Sequence, residues 1–133
     1  MPPEARANSK AGAIAFVKHY IDVFNYASNT GDVEELQRLS DPKCAGCTKY
    51  IDLIEKTYDA GGYFKDSGWA VSSAKLDSGS THWGILTKTE APGGTYRESK
   101  SSAPRRTPPD TYNLYFHVRS GEQIELFTEA EVE

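Results

Sequence analysis

The chain has no long apolar segment. No stretch of its 133 residues approaches the roughly 20 consecutive apolar residues that a transmembrane helix needs. The longest apolar-leaning run, residues 11–17, is interrupted by Gly12 and is followed by Lys18 and His19. This run also lacks the basic flank and the cleavage site of a signal peptide. The sequence therefore predicts no membrane-spanning helix in this stretch of chain.

Positive charge is in short supply. The chain has 15 lysines and arginines against 19 acidic residues, which gives a net charge of −4. Proteins that bind nucleic acid in general need a basic surface that displaces counterions from the phosphates. The charge balance therefore argues against nucleic acid as a partner.

Metal-binding and catalytic motifs are also missing. The three histidines, His19, His82 and His117, do not have the spacing of metal ligands, and the single Cys-x-x-Cys would need two further ligands. The sequence contains no glycine-rich phosphate loop, nucleophile elbow or zinc-protease motif. We therefore expect neither a metal nor a cofactor.

The size and composition are those of one ordinary domain. Hydrophobic residues make up 38% of the chain and charged residues 26%, and a chain this long buries enough surface to fold without a metal or many disulfides. We expect a single domain over residues 9–128. The proline-containing start, residues 1–8, is expected to be disordered, and the acidic end, residues 129–133, is expected to fray.

The first half of the chain predicts three helices. Apolar residues recur at threes and fours from Ala13 to Ala27, which indicates a long helix capped by Asn8 or Ser9, with Asn25 on its water-facing side. A break at residues 29–32 precedes a short helix over residues 33–39, and Pro42 follows it. The third helix is predicted from residue 45 to residue 60, with the glycine pair at 61–62 as its cap.

The second half changes to the period of β-strands. Strands are predicted over residues 67–76 and 81–89, joined by a hairpin loop at 77–80, and over residues 111–118 and 123–128. A further short strand is predicted around residues 95–100, and residues 101–109 are predicted to form a mobile loop. Helices followed by four or five antiparallel strands indicate an α+β fold, with the three helices packed on one curved sheet.

This order of elements resembles the NTF2-like cone fold. Residues 24–32 (Phe-Asn-Tyr-Ala-Ser-Asn-Thr-Gly-Asp), Cys44-Ala-Gly-Cys47 and Gly68-Trp69 further resemble an uncharacterised family of actinobacterial lipoproteins and secreted proteins. The likeness covers about residues 12–76 well and the strands in outline. It implies an extracytoplasmic, cell-envelope location in which a longer precursor carries an export signal and a lipid-modified cysteine. No such lipid-attachment cysteine is present in this sequence.

The two cysteines, Cys44 and Cys47, lie at the start of the third predicted helix. Their spacing in a first helical turn fits the Cα separation of a disulfide, which would fix the entry to that helix and stabilise the fold by about 2 kcal/mol. A redox-active pair is an alternative, because a helix N-terminus favours a thiolate. Redox proteins of the thioredoxin type, however, place this motif after a strand. Two buried free thiols remain a third interpretation.

An NTF2-like cone implies a cavity at the open end of the sheet. We expect Tyr20, Tyr50, Trp69 and Trp83 to line it, and the two tryptophans are favoured because they lie on adjacent predicted strands and can offer an N–H to a ligand. His19 and Asp22 are weak candidates for proton transfer in such a cavity. Neither they nor His82 and His117 have a spacing that forces two of them together.

A local excess of positive charge comes from Arg97, Lys100, Arg105 and Arg106. A solvated loop explains them, and docking to an anionic envelope polymer or an acidic partner is the functional alternative.

The sequence as a whole favours a non-catalytic module that binds a small ligand or an envelope protein. A pocket enzyme of the isomerase or dehydratase type and a thiol redox protein are the alternatives. The sequence does not specify the ligand or the oligomeric state.

Overall fold

The computed structural model describes residues 9–76, 83–119 and 123–128. Its described residues form an α+β fold in which three helices precede seven strands. The helices are α1 (Lys10–Thr30), α2 (Glu34–Leu39) and α3 (Ala45–Asp59). The strands are β1 (Gly61–Lys65), β2 (Ala70–Leu76), β3 (Trp83–Ala91), β4 (Gly94–Ser99), β5 (Arg105–Thr107), β6 (Asp110–Arg119) and β7 (Gln123–Thr128). The predicted tails, the hairpin loop at 77–80 and His82 lie outside the described residues.

The strands form two antiparallel sheets. The larger has the order β2-β3-β6-β7 and the smaller has the order β1-β4-β5. The chain passes from the larger to the smaller sheet after Ala91 and returns just before Asp110. The prediction of one sheet with four or five strands is therefore wrong, and residues 101–109 are not a loop throughout, because they contain β5.

The two strands missing from the prediction are the edges of the smaller sheet. β1 begins with two glycines, which are typical of a helix cap, and β5 is three exposed polar residues without an apolar alternation. Both strands form through backbone pairing with β4, as in Phe64 opposite Tyr96 and Tyr96 opposite Arg105. Such pairing leaves no hydrophobic pattern of its own in the sequence.

Helix α1 is the centre of the packing. The Ser9 hydroxyl caps its start by accepting a hydrogen bond from the Gly12 N–H at 3.1 Å. The helix ends at Gly31, which has a φ of 83° and donates its N–H to the Ala27 carbonyl at 2.8 Å. A Cβ at Gly31 would lie 2.6 Å from the Cγ atom of Tyr58. Both the backbone conformation and the space therefore require glycine at this position.

The hydrophobic core lies between the helices and the inner face of the larger sheet. Alternate residues of β3 and β6 point into it, so that Ile85, Leu114 and Phe116 pack against Phe16 of α1. Thr87 is also buried there, and its hydroxyl donates to the Leu114 carbonyl at 3.1 Å, which satisfies the polar group inside the core. None of the helices in the described part of the chain is long and apolar enough to cross a bilayer.

Candidate functional site: an aromatic cavity

A cavity of about 180 Å³ lies between α1, α3 and the region where the chain changes sheets. Aromatic and aliphatic side chains form most of its wall, and only a few polar groups interrupt them. The lining residues are Phe24, Ser28, Tyr50, Leu53, Ile54, Phe64, Asp66, Trp69, Ala91, Pro92, Thr107, Pro108 and Tyr112. Leu53 is 48% exposed, so it marks the edge of the cavity towards solvent.

Three rings of the wall are steeply inclined to one another. The planes of Phe24 and Tyr50 meet at 84°, those of Tyr50 and Trp69 at 83°, and those of Phe24 and Trp69 at 61°. Tyr112 stacks on Trp69 with an interplanar angle of 11° and a centroid distance of 5.1 Å. The cavity therefore has a corner made of aromatic surfaces that come from α1, α3 and the loop before β2.

Trp69 is held in place by a side chain of α1. The Asn25 amide donates its Nδ2–H to the Trp69 carbonyl at 2.9 Å and accepts the Trp69 N–H on Oδ1 at 2.8 Å. Asn25 is partly buried here, so the prediction that it faces water is wrong. The apolar stripe of α1 is wide, and the loop before β2 covers the side of the helix that the stripe leaves polar.

Asn29, one helical turn after Asn25, holds the start of the same loop. Its Oδ1 accepts the Asp66 N–H at 3.0 Å, and its Nδ2 donates to Asp66 Oδ1 at 3.3 Å. Residues four apart lie on one face of a helix, and asparagine is a poor helix former. Two asparagines at this spacing were therefore the signal in the sequence that this face of α1 forms hydrogen bonds with the backbone of another segment.

Asp66 is the one charged side chain that the described part of the chain contributes to the cavity wall. Its Oδ1 also accepts the Gly68 N–H at 2.9 Å, so the carboxylate is fixed in the turn that leads to Trp69.

The hydroxyls of Tyr50 and Tyr112 make no hydrogen bond with another described residue, and both residues line the cavity. Burial raises the pKa of Tyr50, with a smaller contribution from Tyr112, and burial likewise raises the pKa of Tyr112. Both phenols are therefore neutral and can donate a hydrogen bond at ordinary pH.

The four residues predicted to line a pocket have separate positions. Tyr50 and Trp69 line the cavity. Tyr20 lies deeper, beside a void of about 10 Å³ behind Phe24, and its hydroxyl shares a 2.7 Å hydrogen bond with the Ser40 hydroxyl. Trp83 does not line the cavity.

The register of the β2–β3 hairpin explains the position of Trp83. Ala70 is opposite Glu90 at one end of the hairpin, and Leu76 is opposite Ile85 at the other. Trp69 precedes the first pair, and Trp83 lies beyond the second pair as the first residue of β3. A strand rises about 3.3 Å per residue, so the two tryptophans belong to ends of the hairpin roughly 20 Å apart.

The candidate proton-transfer residues also lie away from the cavity. His19 is partly buried, and its Nε2 atom has no hydrogen-bond partner among the described residues. Burial lowers the pKa of His19, which keeps the imidazole neutral at neutral pH. Asp22 is exposed on the outer side of α1, and His117 contacts Tyr115 on the face of β6 opposite to the buried Phe116. The structure brings none of these three residues to the aromatic wall.

The predicted disulfide between Cys44 and Cys47 is confirmed, with a Cα–Cα distance of 5.2 Å. Cys44 is the N-cap of α3, and its sulfur accepts the Cys47 N–H at 3.1 Å. Only 3% of Cys44 and 1% of Cys47 are exposed. The pair is thus a buried disulfide that fixes the entry to α3. This helix contributes Tyr50 and Leu53 to the cavity wall. Within the described ranges, no group of three or more potential ligands could hold a metal ion.

The basic residues of the predicted loop have different roles. The Arg97 guanidinium donates to the carbonyls of Ser102, at 2.7 Å, and of Lys100, so it holds the turn after β4 together. Lys100 itself is exposed in that turn. Arg105 and Arg106 are exposed on successive positions of β5 and therefore point to opposite faces of the small sheet.

Comparisons with known proteins address the fold and the family. The crystal structure of the intermembrane space region of the chloroplast protein ARC6 is similar to this chain, with a TM-score of 0.57 and 14% sequence identity. The match covers 91% of this chain and 98% of the ARC6 chain, and at this identity it shows a shared fold alone. A comparison with curated proteins gives no match. A family model described as "Family of unknown function (DUF6318)" matches residues 1–119, and the chain therefore belongs to the DUF6318 family.

Proposed function

We propose that this domain is a non-catalytic binding module whose aromatic cavity takes one small apolar or aromatic group. The observation that carries the proposal is the wall itself, in which Phe24, Tyr50, Phe64, Trp69 and Tyr112 surround about 180 Å³. Pockets for drug-sized ligands are typically about 300–1,000 Å³. An apolar cavity of about 150 Å³ holds one benzene molecule. The fitting ligand is therefore a one- or two-ring molecule, or a single side chain of a partner protein.

The contents of the cavity support binding without chemistry. Asp66 is engaged by the backbone of its own turn, and the remaining ionisable groups of the wall are neutral phenols. The isomerase or dehydratase alternative relied on His19 or Asp22, which stand outside the cavity. The redox alternative relied on the position of Cys44 and Cys47 at a helix N-terminus, but both cysteines are buried, whereas a reactive pair must be within reach of its substrate. Binding is therefore the function that the geometry of the described residues favours.

The proposal extends to the setting of the domain. We infer an NTF2-like cone in an exported actinobacterial lipoprotein that is anchored at the cell membrane. The helix-then-strand order supports the cone, and the disulfide supports an oxidising compartment outside the cytoplasm. Fractionation of cells that express the full-length precursor tests this directly. Recovery in the detergent phase, with no thiol reactive to iodoacetamide, is expected, and a cytoplasmic protein with two reactive thiols would contradict it.

A second candidate for partner docking is the exposed edge strand β5, which is favoured by its charge rather than by its shape. Arg105 and Arg106 are exposed and form no ion pair with a described residue. We propose that they strengthen association with an anionic envelope polymer or an acidic protein. Replacing both by glutamate should abolish salt-sensitive binding to poly-glutamate, while Lys75→Glu combined with Lys88→Glu on the larger sheet should leave that binding unchanged.

The cavity function is tested by titration with indole as a neutral aromatic probe. Leu53 and Leu86 are both exposed leucines, but only Leu53 belongs to the cavity wall. Isothermal titration should show saturable binding of indole that Leu53→Ala weakens several-fold, because apolar contact area is lost. The matched Leu86→Ala variant should bind like the wild type. Equal effects of the two variants, or no saturable binding, would contradict the proposal.

A further inference from the structure

The charge that the described residues place in the cavity wall is negative. Among the described residues, Asp66 is the only charged side chain of this wall, and no described cation forms an ion pair with it. The neighbouring Lys65 donates its ammonium to the Asn29 carbonyl at 3.2 Å. The bonds from Gly68 and Asn29 reach Oδ1 of Asp66, so they fix the carboxylate without neutralising its charge.

The aromatic rings of the cavity wall also attract cations, as the Asp66 carboxylate does. The faces of aromatic rings are electron-rich, and a cation within about 6 Å of a ring centroid is attracted to them, most strongly by tryptophan. Phe24, Tyr50 and Trp69 present three ring planes at 61° to 84° to one another. All three rings line the cavity, so a compact cation inside it contacts aromatic surface from three elements, with a carboxylate in the same wall.

The largely aromatic wall narrows the kind of cation. The Thr107 hydroxyl is bonded to the backbone of Gly94, and Asp66 Oδ1 is bonded to Gly68 and Asn29, so the free acceptors of the wall are Asp66 Oδ2 and the two phenol oxygens of Tyr50 and Tyr112. A primary ammonium brings three N–H donors, and burying them without partners is costly. A trimethylammonium group has no donor and presents methyl groups to its surroundings.

We propose that the cavity recognises an alkylated ammonium group, with its methyl groups against Trp69, Tyr50 and Phe24 and its charge balanced by Asp66. This inference rests on the binding function proposed above and assigns a chemical class to the ligand. It applies equally to a free quaternary amine and to a lipid headgroup that carries one.

Three small probes of similar size separate charge from shape. Choline carries a trimethylammonium group, 3,3-dimethyl-1-butanol replaces its nitrogen by carbon, and 2-aminoethanol carries a primary ammonium. Calorimetric titration of the wild-type protein should give choline about a tenfold tighter dissociation constant than its neutral isostere, which is the range of a desolvated cation–π contact. 2-Aminoethanol should bind more weakly than choline.

Asp66→Asn tests the role of the carboxylate. An asparagine keeps an oxygen that can accept the Gly68 and Asn29 bonds, so we expect the variant to bind 3,3-dimethyl-1-butanol as the wild type does. Its affinity for choline should fall, and its preference for choline over the isostere should narrow without vanishing, because the ring contacts remain. Glu98→Gln removes the same charge from an exposed position of β4 outside the cavity and should change neither affinity. An unchanged choline preference in Asp66→Asn, or loss of the isostere as well, would overturn the inference.

The outcomes distinguish this inference from the proposed function. If the isostere binds as tightly as choline or tighter, ammonium recognition is wrong and apolar binding stands. If neither probe nor indole binds, both proposals fail. Binding of choline with no binding to phosphatidylcholine vesicles identifies a free amine as the source. Binding to those vesicles, and not to phosphatidylglycerol vesicles, identifies a lipid headgroup.

Discussion

The side-chain amide of Asn25 pairs with the backbone of Trp69 through two hydrogen bonds, at 2.9 Å from Nδ2 to the carbonyl and at 2.8 Å from the N–H to Oδ1. The preceding residue on α1, Phe24, contacts the Trp69 ring at a centroid distance of 5.1 Å. One turn of α1 therefore supplies a wall of the cavity and also fixes the adjoining wall. The position of Trp69 is set by the helix and not only by the strand that follows it.

Asn25→Ala should destabilise the protein by about 1–3 kcal/mol, because it leaves a partly buried N–H and carbonyl of Trp69 without partners. Urea unfolding followed by tryptophan fluorescence measures the loss. Lys18→Ala changes an exposed residue of the same helix and should stay within about 0.5 kcal/mol of the wild type. If both variants unfold at the same urea concentration, the pairing does not hold Trp69.

Tyr58 connects three elements through its hydroxyl. The hydroxyl donates to the Ser28 carbonyl of α1 at 2.7 Å and accepts the Phe64 N–H of β1 at 3.2 Å. Tyr58→Phe should therefore lower the free energy of unfolding by about 1–3 kcal/mol. Tyr26→Phe removes a hydroxyl that is exposed and 3.4 Å from Asp32, and it should cost almost nothing. A loss in Tyr26→Phe that equals the loss in Tyr58→Phe would contradict this assignment.

The Cys44–Cys47 disulfide should contribute modestly to stability. It closes a ring of only four residues, for which the chain-entropy model gives about 2 kcal/mol. The double variant Cys44→Ser/Cys47→Ser should remain folded and lose about that amount in urea unfolding. Because both sulfurs are buried, the native protein should not reduce or oxidise insulin. Catalytic turnover of insulin disulfides would restore the redox alternative.

Tyr20 should make stability fall at alkaline pH. Burial raises the pKa of Tyr20 from its ordinary value of 10.0 to about 12, and the hydrogen bond with Ser40 opposes this shift. Between these two values the unfolded chain loses the phenol proton while the folded protein retains it, so the free energy of unfolding decreases as the pH rises. The Tyr20 contribution amounts to roughly 2–3 kcal/mol over this interval.

Unfolding measured from pH 9 to pH 12 should therefore show a shallower decline for Tyr20→Phe than for the wild type. Tyr50 and Tyr112 also have raised pKa values, so they contribute to the decline in the free energy of unfolding that both proteins share. Parallel curves for the two proteins would show that Tyr20 does not titrate differently on folding.

The sequence predicts the helices well because each has a local signature. The wide apolar stripe predicts α1, and Ser9 and Gly31 stand at its ends as caps. The alternation along residues 111–118 predicts β6 for the same reason. The Cys-x-x-Cys spacing at a helix start is compatible with the disulfide that the structure contains.

The parts that the sequence did not predict depend on distant partners. β1 and β5 form because each pairs with β4, which lies between them. No local sequence pattern predicts this pairing. Asn25 is polar and yet partly buried, because a loop 44 residues later supplies matching backbone groups. The assignment of Trp83 to the cavity could have been avoided. Trp69 and Trp83 each stand near the start of one of two consecutive antiparallel strands, which places them at opposite ends of the strand pair.

The central claim is that the cavity between α1, α3 and the two sheets is a binding site. The two tryptophans test it, because Trp69 lines the cavity and Trp83 does not. In a ¹⁵N-labelled protein each tryptophan gives one indole N–H signal, and each can be assigned with a Trp→Phe variant. Titration with unlabelled indole should shift the Trp69 signal in a saturable manner and leave the Trp83 signal in place. Equal movement of both signals, or a stationary Trp69 signal at saturating indole, would contradict the account.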